Sequence, residues 1–449
     1  MAAPTAPLSL VFAGPSVTGR VRRVCPASTR LVAVLHADDP VFLASSRAAL
    51  SGTLRDVSAW AAQHQASFHV GPTKTVVLCT DARGRDEPPE GDILFDAGDR
   101  SGGVILHKVL SHRWIGAVWD SRLYFAADLH AKLGLARAAF STLLGMVNSR
   151  VAPLPTALIL FNLKVDSVLA HTRWLWIMLP AAQSVLDDQY QSWARALLGA
   201  DAWRNAAVAT SEVGWPLGGF ARLVRATALR RAKLWTLPEQ DVYRAAFERA
   251  NSLECGWAAR SGQVLRQYGV SDWPVWQPSG IRAKSLTNYR SYVLSRLMEA
   301  SRTDWTAVAS QHNAQVPYLR FRKARCVVMR TLARSRLRWN CLVGVRAWCR
   351  LRAGLVVLRH SQRRISRARF QQCIFCHAIV RNATVHVLGK CVFWHEHRAV
   401  LQLSPALLVS PDKVAIFFLG CSTVSPLFPL VVRMADEIDT TPAAFWSKA

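Results

Sequence analysis

Residues 31–46 read LVAVLHADDPVFLASS. Two short apolar runs, 31–35 and 41–44, flank the dipeptide Asp38-Asp39. Runs of this length around a polar break predict two buried strands joined by a tight acidic turn. Ser45 or Ser46 is placed to cap a following helix, since a short side-chain oxygen accepts a bond from the first free amides. Leu50, Leu54, Val57 and Ala61 then recur at helical spacing and give that helix one apolar face. Residues 75–79, TVVLC, return to strand. This order of strand, acidic turn, strand, helix and strand predicts an α+β unit with two carboxylates at a hairpin tip.

Carboxylates so placed suit one chemistry. Magnesium takes hard oxygen ligands and keeps several waters, so two or three carboxylates suffice to hold it. Enzymes that join nucleotides use two such ions, held by carboxylates on adjacent strands. Taken alone the dipeptide is weak, because an exposed Asp-Asp turn is usually only a turn.

Downstream, residues 81–103 collect Asp81, Asp86, Glu87, Glu90, Asp92, Asp96 and Asp99 with Pro88-Pro89, which reads as a solvated loop. Residues 104–110 and 114–119 predict a strand pair. Leu129, Leu133, Ala136, Phe140, Leu144 and Val147 mark a long amphipathic helix. From 151 to 310 the pattern is mostly helical, with no internal repeat.

Composition sets the partner. The chain has 449 residues, with 56 Lys plus Arg against 29 Asp plus Glu, a net of +27. Such an excess favours a polyanion, because each neutralised phosphate releases counterions. The charge is clustered: residues 305–395 contain no acid and carry 16 arginines and two lysines, 18 of the net 27. Within it Arg330, Arg334 and Arg338 fall four apart on one helix face, and Arg346 and Arg350 repeat the spacing. Guanidinium forks grip phosphates at two points, and Trp339 and Trp348 are placed either to stack on bases or to pack in a core. RNA and DNA are not separable on these grounds. No membrane span is expected. The longest uncharged stretch, Val414 to Val432, is broken by Gly420, Pro426 and Pro429 and reads as a buried core segment.

Three of the ten cysteines crowd into 373–391, CIFCHAIVRNATVHVLGKC. Cys373, Cys376, His386 and Cys391 supply three thiolates and one imidazole, the donor set of a closed, structural zinc site. The two-residue gap lets one tight turn deliver two thiolates, and the four-residue gap sets His386 and Cys391 about one helical turn apart. His377, His395 and His397 are possible substitutes for the histidine ligand. The bland alternative is three cysteines buried near one another.

The order of these stretches resembles the reverse transcriptases of non-LTR (LINE-type) retrotransposons. HADDPVFLASS, a helix ending in VSAWAAQ, and FHVGPTKTVVL are similar to the palm of that family. LSHRWIGAVWDSRLYFAADLHAKL resembles the hairpin that grips the primer and the start of the thumb. Leu197, Leu198 and Gly199, then Gly214, Trp215 and Pro216, resemble a Leu-Leu-Gly and Gly-Trp-Pro pair beyond the thumb. The cysteine–histidine cluster, with Thr384 before its histidine, resembles the family's C-terminal Cys-Cys-His-Cys motif. The resemblance spans residues 31–400. It implies RNA-directed DNA polymerase chemistry, magnesium at Asp38 with Asp39 beside it, and Lys74 near the phosphates of the incoming nucleotide. It also implies residence in nucleus or cytoplasm, with the basic, acid-free residues 1–37 the only hint of organelle targeting.

The departures are specific. His36 stands where the family has an aromatic residue, Pro40 follows the aspartates, and His69 stands where Asn is favoured. The family uses a further aspartate on an earlier strand, yet residues 1–37 hold no Asp or Glu. The expectation is therefore a truncated start and an incomplete polymerase site, with magnesium bound only if that site is completed. The expected organisation is a basic segment (1–30), a partial palm (31–80), an acidic loop (81–103) and a primer-grip-like hairpin with thumb (104–150). A helical connector (151–310), an arginine-rich helical region (311–370), the zinc motif (371–400) and a tail (401–449) follow. The rival is a non-enzymatic nucleic-acid-binding protein that uses the arginines and zinc.

Overall fold

Ala33–His36 (β1) pairs antiparallel with Asp39–Phe42 (β2), His36 opposite Asp39, so residues 37 and 38 alone connect them. In the computed structural model the described residues are 33–36, 39–44, 47–65, 75–78, 94–96, 103–199, 206–215, 217–254, 256–276, 285–310, 344–352, 371–373, 375–376, 378–380, 383–401, 414, 418, 425 and 427–446. Asp38, Lys74, Arg330, Arg334, Arg338 and Trp339 lie outside them.

The chain divides into two compact units, Met1–Leu133 with Ala170–Pro180 and Leu223–Ser291, and Gly134–Leu169 with Ala181–Arg222 and Tyr292–Ala449. The described residues are mostly helical, with a few short strands confined to residues 33–120 and 371–380, an α+β composition.

In the first unit, Arg47–Gln63 (α1) buries Leu54, Val57 and Ala61, three of the four residues of its apolar face. Val76–Leu78 (β3), Leu94–Asp96 (β4), Gly103–Ile105 (β5) and His107–Val109 (β6) follow. Leu54 and Val57 form one small core with Val77, Phe95 and Leu106, and Phe42 and Leu50 pack against it. Phe95 is 3% exposed, so the stretch 81–103 is not loop throughout. Its acids mask a three-residue strand, too short to show a period. The expected pairing of 104–110 with 114–119 is also redrawn. β6 lies parallel to β3, and Ser111–Trp114 (β7) forms the hairpin with Ala117–Asp120 (β8). Its two-residue turn has φ 49° at Ile115 and 71° at Gly116. Two left-handed residues match the right-handed twist of the strands, and glycine meets that need without strain.

Two carboxylates then fix the entry to Ala126–Asn148 (α2). Asp120 accepts bonds from the amides of Arg122 (3.0 Å), Tyr124 (3.2 Å) and Phe125 (2.7 Å). Asp128 is wholly buried, taking the Val118 amide at 3.0 Å and the Trp176 indole Nε1 at 2.8 Å. A buried carboxylate without donors is costly, so these two bonds hold the β8 strand and the Trp176 segment to α2. α2 buries Leu129, Leu133, Ala136, Phe140, Leu143 and Val147, close to the predicted face.

The helical course continues through Leu154–Leu160 (α3), a π-helical turn Phe161–Asp166, Ser167–Ala170 (α4) and a 3-10 segment Arg173–Met178. Ala182–Leu198 (α5) ends on Gly199 at φ 64°. Ala206–Glu212 (α6), Gly219–Trp235 (α7), Val242–Ser252 (α8), Gly256–Gln267 (α9), Trp273–Trp276 (α10) and Leu286–Ser310 (α11) complete the connector. In the first unit Arg231 of α7 is buried and donates to the Ala258 carbonyl, Ser261 Oγ, Asn251 Oδ1 and Asp272, tying α7 to α8, α9 and the turn before α10.

The core of the second unit is aromatic. Phe140, Phe161, Tyr190, Trp193 and Trp215 pack with ring centroids 4.5–6.2 Å apart. A Cβ at Gly219 would meet the Leu186 carbonyl oxygen at 2.4 Å, so a glycine there lets α7 start directly against α5. Val345–Arg352 (α12) packs on α3, α5 and Phe428–Trp446, the last helix of the chain. Val414, Phe418, Phe428, Val431 and Val432 are buried, as the reading of 414–432 as core expects. Within the stretch expected as a tail, Val414, Phe418 and the helix Phe428–Trp446 therefore contribute to this core. Among the described residues no helix is long and apolar enough to cross a membrane.

Candidate metal centre

The Cys-Cys-His-Cys segment folds as a small module of the second unit. Gln371–Gln372 (β9) pairs antiparallel with Ile379–Val380 (β10), and the amide of Cys373 donates to the Ala378 carbonyl at 2.8 Å. This closes a tight turn that carries Cys373 and Cys376 on one side. Ala383–Gly389 (α13) then presents His386. The amides of Lys390 and Cys391 both donate to the His386 carbonyl, at 2.8 and 2.7 Å, which ends the helix and turns Cys391 back toward the histidine. His395–Val400 (α14), after a 3-10 turn at Val392–Trp394, backs the arrangement, and Phe428–Trp446 is α15.

The ligand atoms of Cys373, Cys376, His386 and Cys391 all lie within 4.8 Å of one another. Cys373 Sγ and Cys391 Sγ are 3.9 Å apart, and Cys376 Sγ is 3.0 Å from His386 Nε2. Two thiolates bound at the zinc–sulfur distance of a tetrahedral site stand about 3.8 Å apart. The sulfur pair already has that spacing. The sulfur–imidazole pair needs to open by about half an ångström to admit an ion. The cluster could hold a metal ion, and its donor set is compatible with zinc.

The surroundings favour the ligand form of the histidine and set a cost for the thiols. Burial, with Lys390 and Arg398 nearby, lowers the His386 pKa and keeps the imidazole neutral, as a metal ligand must be. Burial raises Cys373, and raises Cys391 to about 12, so without an ion these thiols keep their protons. The amides of Phe375 and Cys376 point to the Cys373 sulfur, and that of Phe393 to the Cys391 sulfur, and they favour the thiolates. Three thiolates and a neutral imidazole around a divalent ion leave one negative charge. Arg398, buried, donates to the Cys391 carbonyl at 2.7 Å and the Val387 carbonyl at 3.3 Å and brings a positive charge beside it.

Three further residues were not singled out by the sequence reading. Phe375, Phe393 and Trp394 form an aromatic trio, Phe375 stacked on Phe393 at 5.5 Å and Trp394 edge-on to Phe375 at 5.1 Å. Their clustering in CIFC and CVFWH was available as a signal. Among the described residues His386 is the histidine that joins the cluster; His377 and the side chain of His397 lie outside them.

The expected nucleic-acid residues divide. Trp348 is 1% exposed, edge-on to Phe428 at 5.3 Å, with its Nε1 donating to the Phe418 carbonyl at 3.3 Å, so it packs in the core rather than stacking on a base. Arg350 is buried. Arg346 donates to the Leu197 carbonyl at 2.7 Å and Asn148 Oδ1 at 3.0 Å, and Arg352 pairs with the buried Glu212 at 3.0 Å. These side chains serve the fold because α12 is covered by three other helices. Asp39 opens β2, and Asp38, Lys74, Arg330, Arg334, Arg338 and Trp339 fall outside the described residues. No family model matches the chain, nor does any curated protein or solved structure.

Proposed function

We propose that this chain is a reverse-transcriptase-like protein of the non-LTR retrotransposon type, which binds nucleic acid and carries one structural zinc ion. The observation that carries the reading is the convergence of Cys373, Cys376, His386 and Cys391 on one point. The spacing of these four within residues 373–391 suits one ion, and the same pattern resembles the family's Cys-Cys-His-Cys motif. The two-residue connection between β1 and β2, followed by α1 and β3, supports the same order of elements.

The zinc is structural in this reading, because four protein ligands leave no open position for a substrate. Asp38 and Asp39 would take magnesium only with a further carboxylate, and residues 1–37 hold none. In this reading the chain binds RNA or DNA. The same features without polymerase ancestry would make a zinc- and arginine-dependent binding protein.

The test has two arms on the full chain. Metal analysis is expected to give near one zinc per chain, lost when Cys376→Ser and Cys391→Ser are combined. Undiminished zinc in that double variant would overturn the assignment. Primer extension on an RNA template with magnesium is expected to stay at background. Extension that vanishes in Asp38→Ala would show that Asp38 and Asp39 work with a carboxylate elsewhere in this chain, and would overturn that expectation.

A further inference from the structure

The zinc module exposes what a small module ordinarily hides. Phe393 is 44% exposed, its neighbour Val392 77%, and Ile379 on β10 75%. Trp394, the next residue, is buried to 1%, so the 3-10 turn sends one aromatic ring inward and leaves another at the surface. Phe393 is also held. Phe375 stacks on it at 26° between ring planes, and Trp394 meets it at 69° with centroids 5.2 Å apart. Phe375 and Phe393 adjoin metal ligands on either side, Phe375 before Cys376 and Phe393 two residues after Cys391. An exposed ring fixed in this way has already lost its rotamer freedom, so a partner that covers it gains contact at little ordering cost.

Charge identifies the partner. In sequence, Glu396 is the only acid in residues 305–401, against 19 cations, of which Arg346, Arg350, Arg352 and Arg398 are buried or bonded within the fold. Lys390 is exposed three residues before Phe393. An exposed aromatic ring close in sequence to Lys390, in a stretch so poor in acid, fits a π-faced, anion-linked ligand. An acidic peptide would meet the cations but leave a planar stack unused.

We propose that the Phe375–Phe393 pair is a stacking platform for an unpaired base of single-stranded nucleic acid, with Lys390 at the adjoining phosphate. This deepens the nucleic-acid-binding reading above and rests on it. A base in a duplex has both faces covered by its neighbours, so the platform selects single strands and strand ends. It tolerates sequence, since every base has a π face.

The experiment is fluorescence anisotropy of the zinc-loaded full chain with a labelled pyrimidine single strand and a duplex of equal length. Phe393→Leu keeps an apolar side chain against Phe375 and Trp394 and removes the π face. It is expected to weaken single-strand binding roughly five- to hundred-fold, the range found for losing one stacked base. Duplex binding, the salt slope and zinc content are expected to hold. Phe393→Trp is expected to bind single strands at least as tightly as the parent. Unchanged single-strand affinity in Phe393→Leu would overturn the platform while leaving nucleic-acid binding standing. So would an equal loss on duplex, or a change of oligomeric mass with affinity unaltered, which would mark the face as a contact between copies. A parent chain that binds neither strand form would overturn both readings.

Discussion

At the scale of single residues, proton and metal compete for the same sulfurs. Burial holds protons on Cys373 and Cys391, and the proposed zinc would have to displace them. Each displaced proton adds about one unit of log affinity per pH unit, so these two thiols together give a slope of about two. Zinc is expected to leave as pH falls, measured by transfer to a chromogenic chelator, with affinity changing on the order of four decades between pH 6 and 8, and a flat affinity over that range would contradict the assignment. The metal-free chain has the opposite sign. A thiol raised in the folded state contributes stability below its ordinary value near 9.0, lost as pH climbs toward about 12 for Cys391. Melting after chelation is therefore expected to ease in alkali, and zinc is expected to abolish that trend. The four ligands were legible in the sequence because their spacing is local. Asp128 was not, because its indole partner Trp176 stands 48 positions away and nothing near either residue announces the pair.

At the scale of elements, apolar period was enough where an element was long. Leu129, Leu133, Ala136 and Phe140 placed α2, and Leu54, Val57 and Ala61 placed α1, because four turns repeat the signal. Three-residue strands repeat nothing. Phe95 was hidden among acids, and the parallel pairing of β3 with β6 joins residues about 30 positions apart, which no turn signal marks. Gly219 is where α7 meets α5. Glycines in one chain thus act oppositely. Gly219→Ala would place a carbon 2.4 Å from the Leu186 carbonyl oxygen and 2.7 Å from Tyr190, and is expected to destabilise by about 1–3 kcal/mol. Gly134 and Gly145, exposed within α2, have nothing within 4 Å of a new Cβ, and alanine at either is expected to stabilise by about 0.5–1 kcal/mol. Chemical denaturation of the three variants decides it, and a neutral Gly219→Ala would show that α7 can move off α5 without cost.

At the scale of the whole molecule, the question is how the net charge of +27 divides between holding the fold and meeting a polyanion. Arginines 346 and 350 were grouped by spacing with those upstream, but helical spacing cannot tell a solvated face from one buried on both sides. Arg346 is held by backbone carbonyls, Arg350 is buried, and Arg352 neutralises Glu212 beneath the ring of Trp348. A cation already paired inside the protein releases no counterion when nucleic acid binds, so these residues add little to the salt dependence. Arg330, Arg334 and Arg338 share the four-residue spacing and have no acid in their stretch of sequence. Each phosphate they neutralise steepens the log–log salt slope by roughly 0.7 to 0.9. Replacing all three with glutamine in the full chain is expected to weaken binding at low salt and flatten the slope by about two to three units, with the melting temperature held. Arg352→Met is expected to do the reverse. It removes the Arg352 guanidinium from the buried Glu212, a break of a buried pair that costs up to about 3–5 kcal/mol, and lowers the melting temperature with the slope intact. Trp348→Ala is expected to follow Arg352→Met, since removing a buried indole opens a cavity worth about 3–5 kcal/mol. A salt titration by gel shift beside a thermal melt separates the two groups. If the triple variant kept the parent's slope while Arg352→Met lost it, the division of charge drawn from the packing of α12 would be reversed.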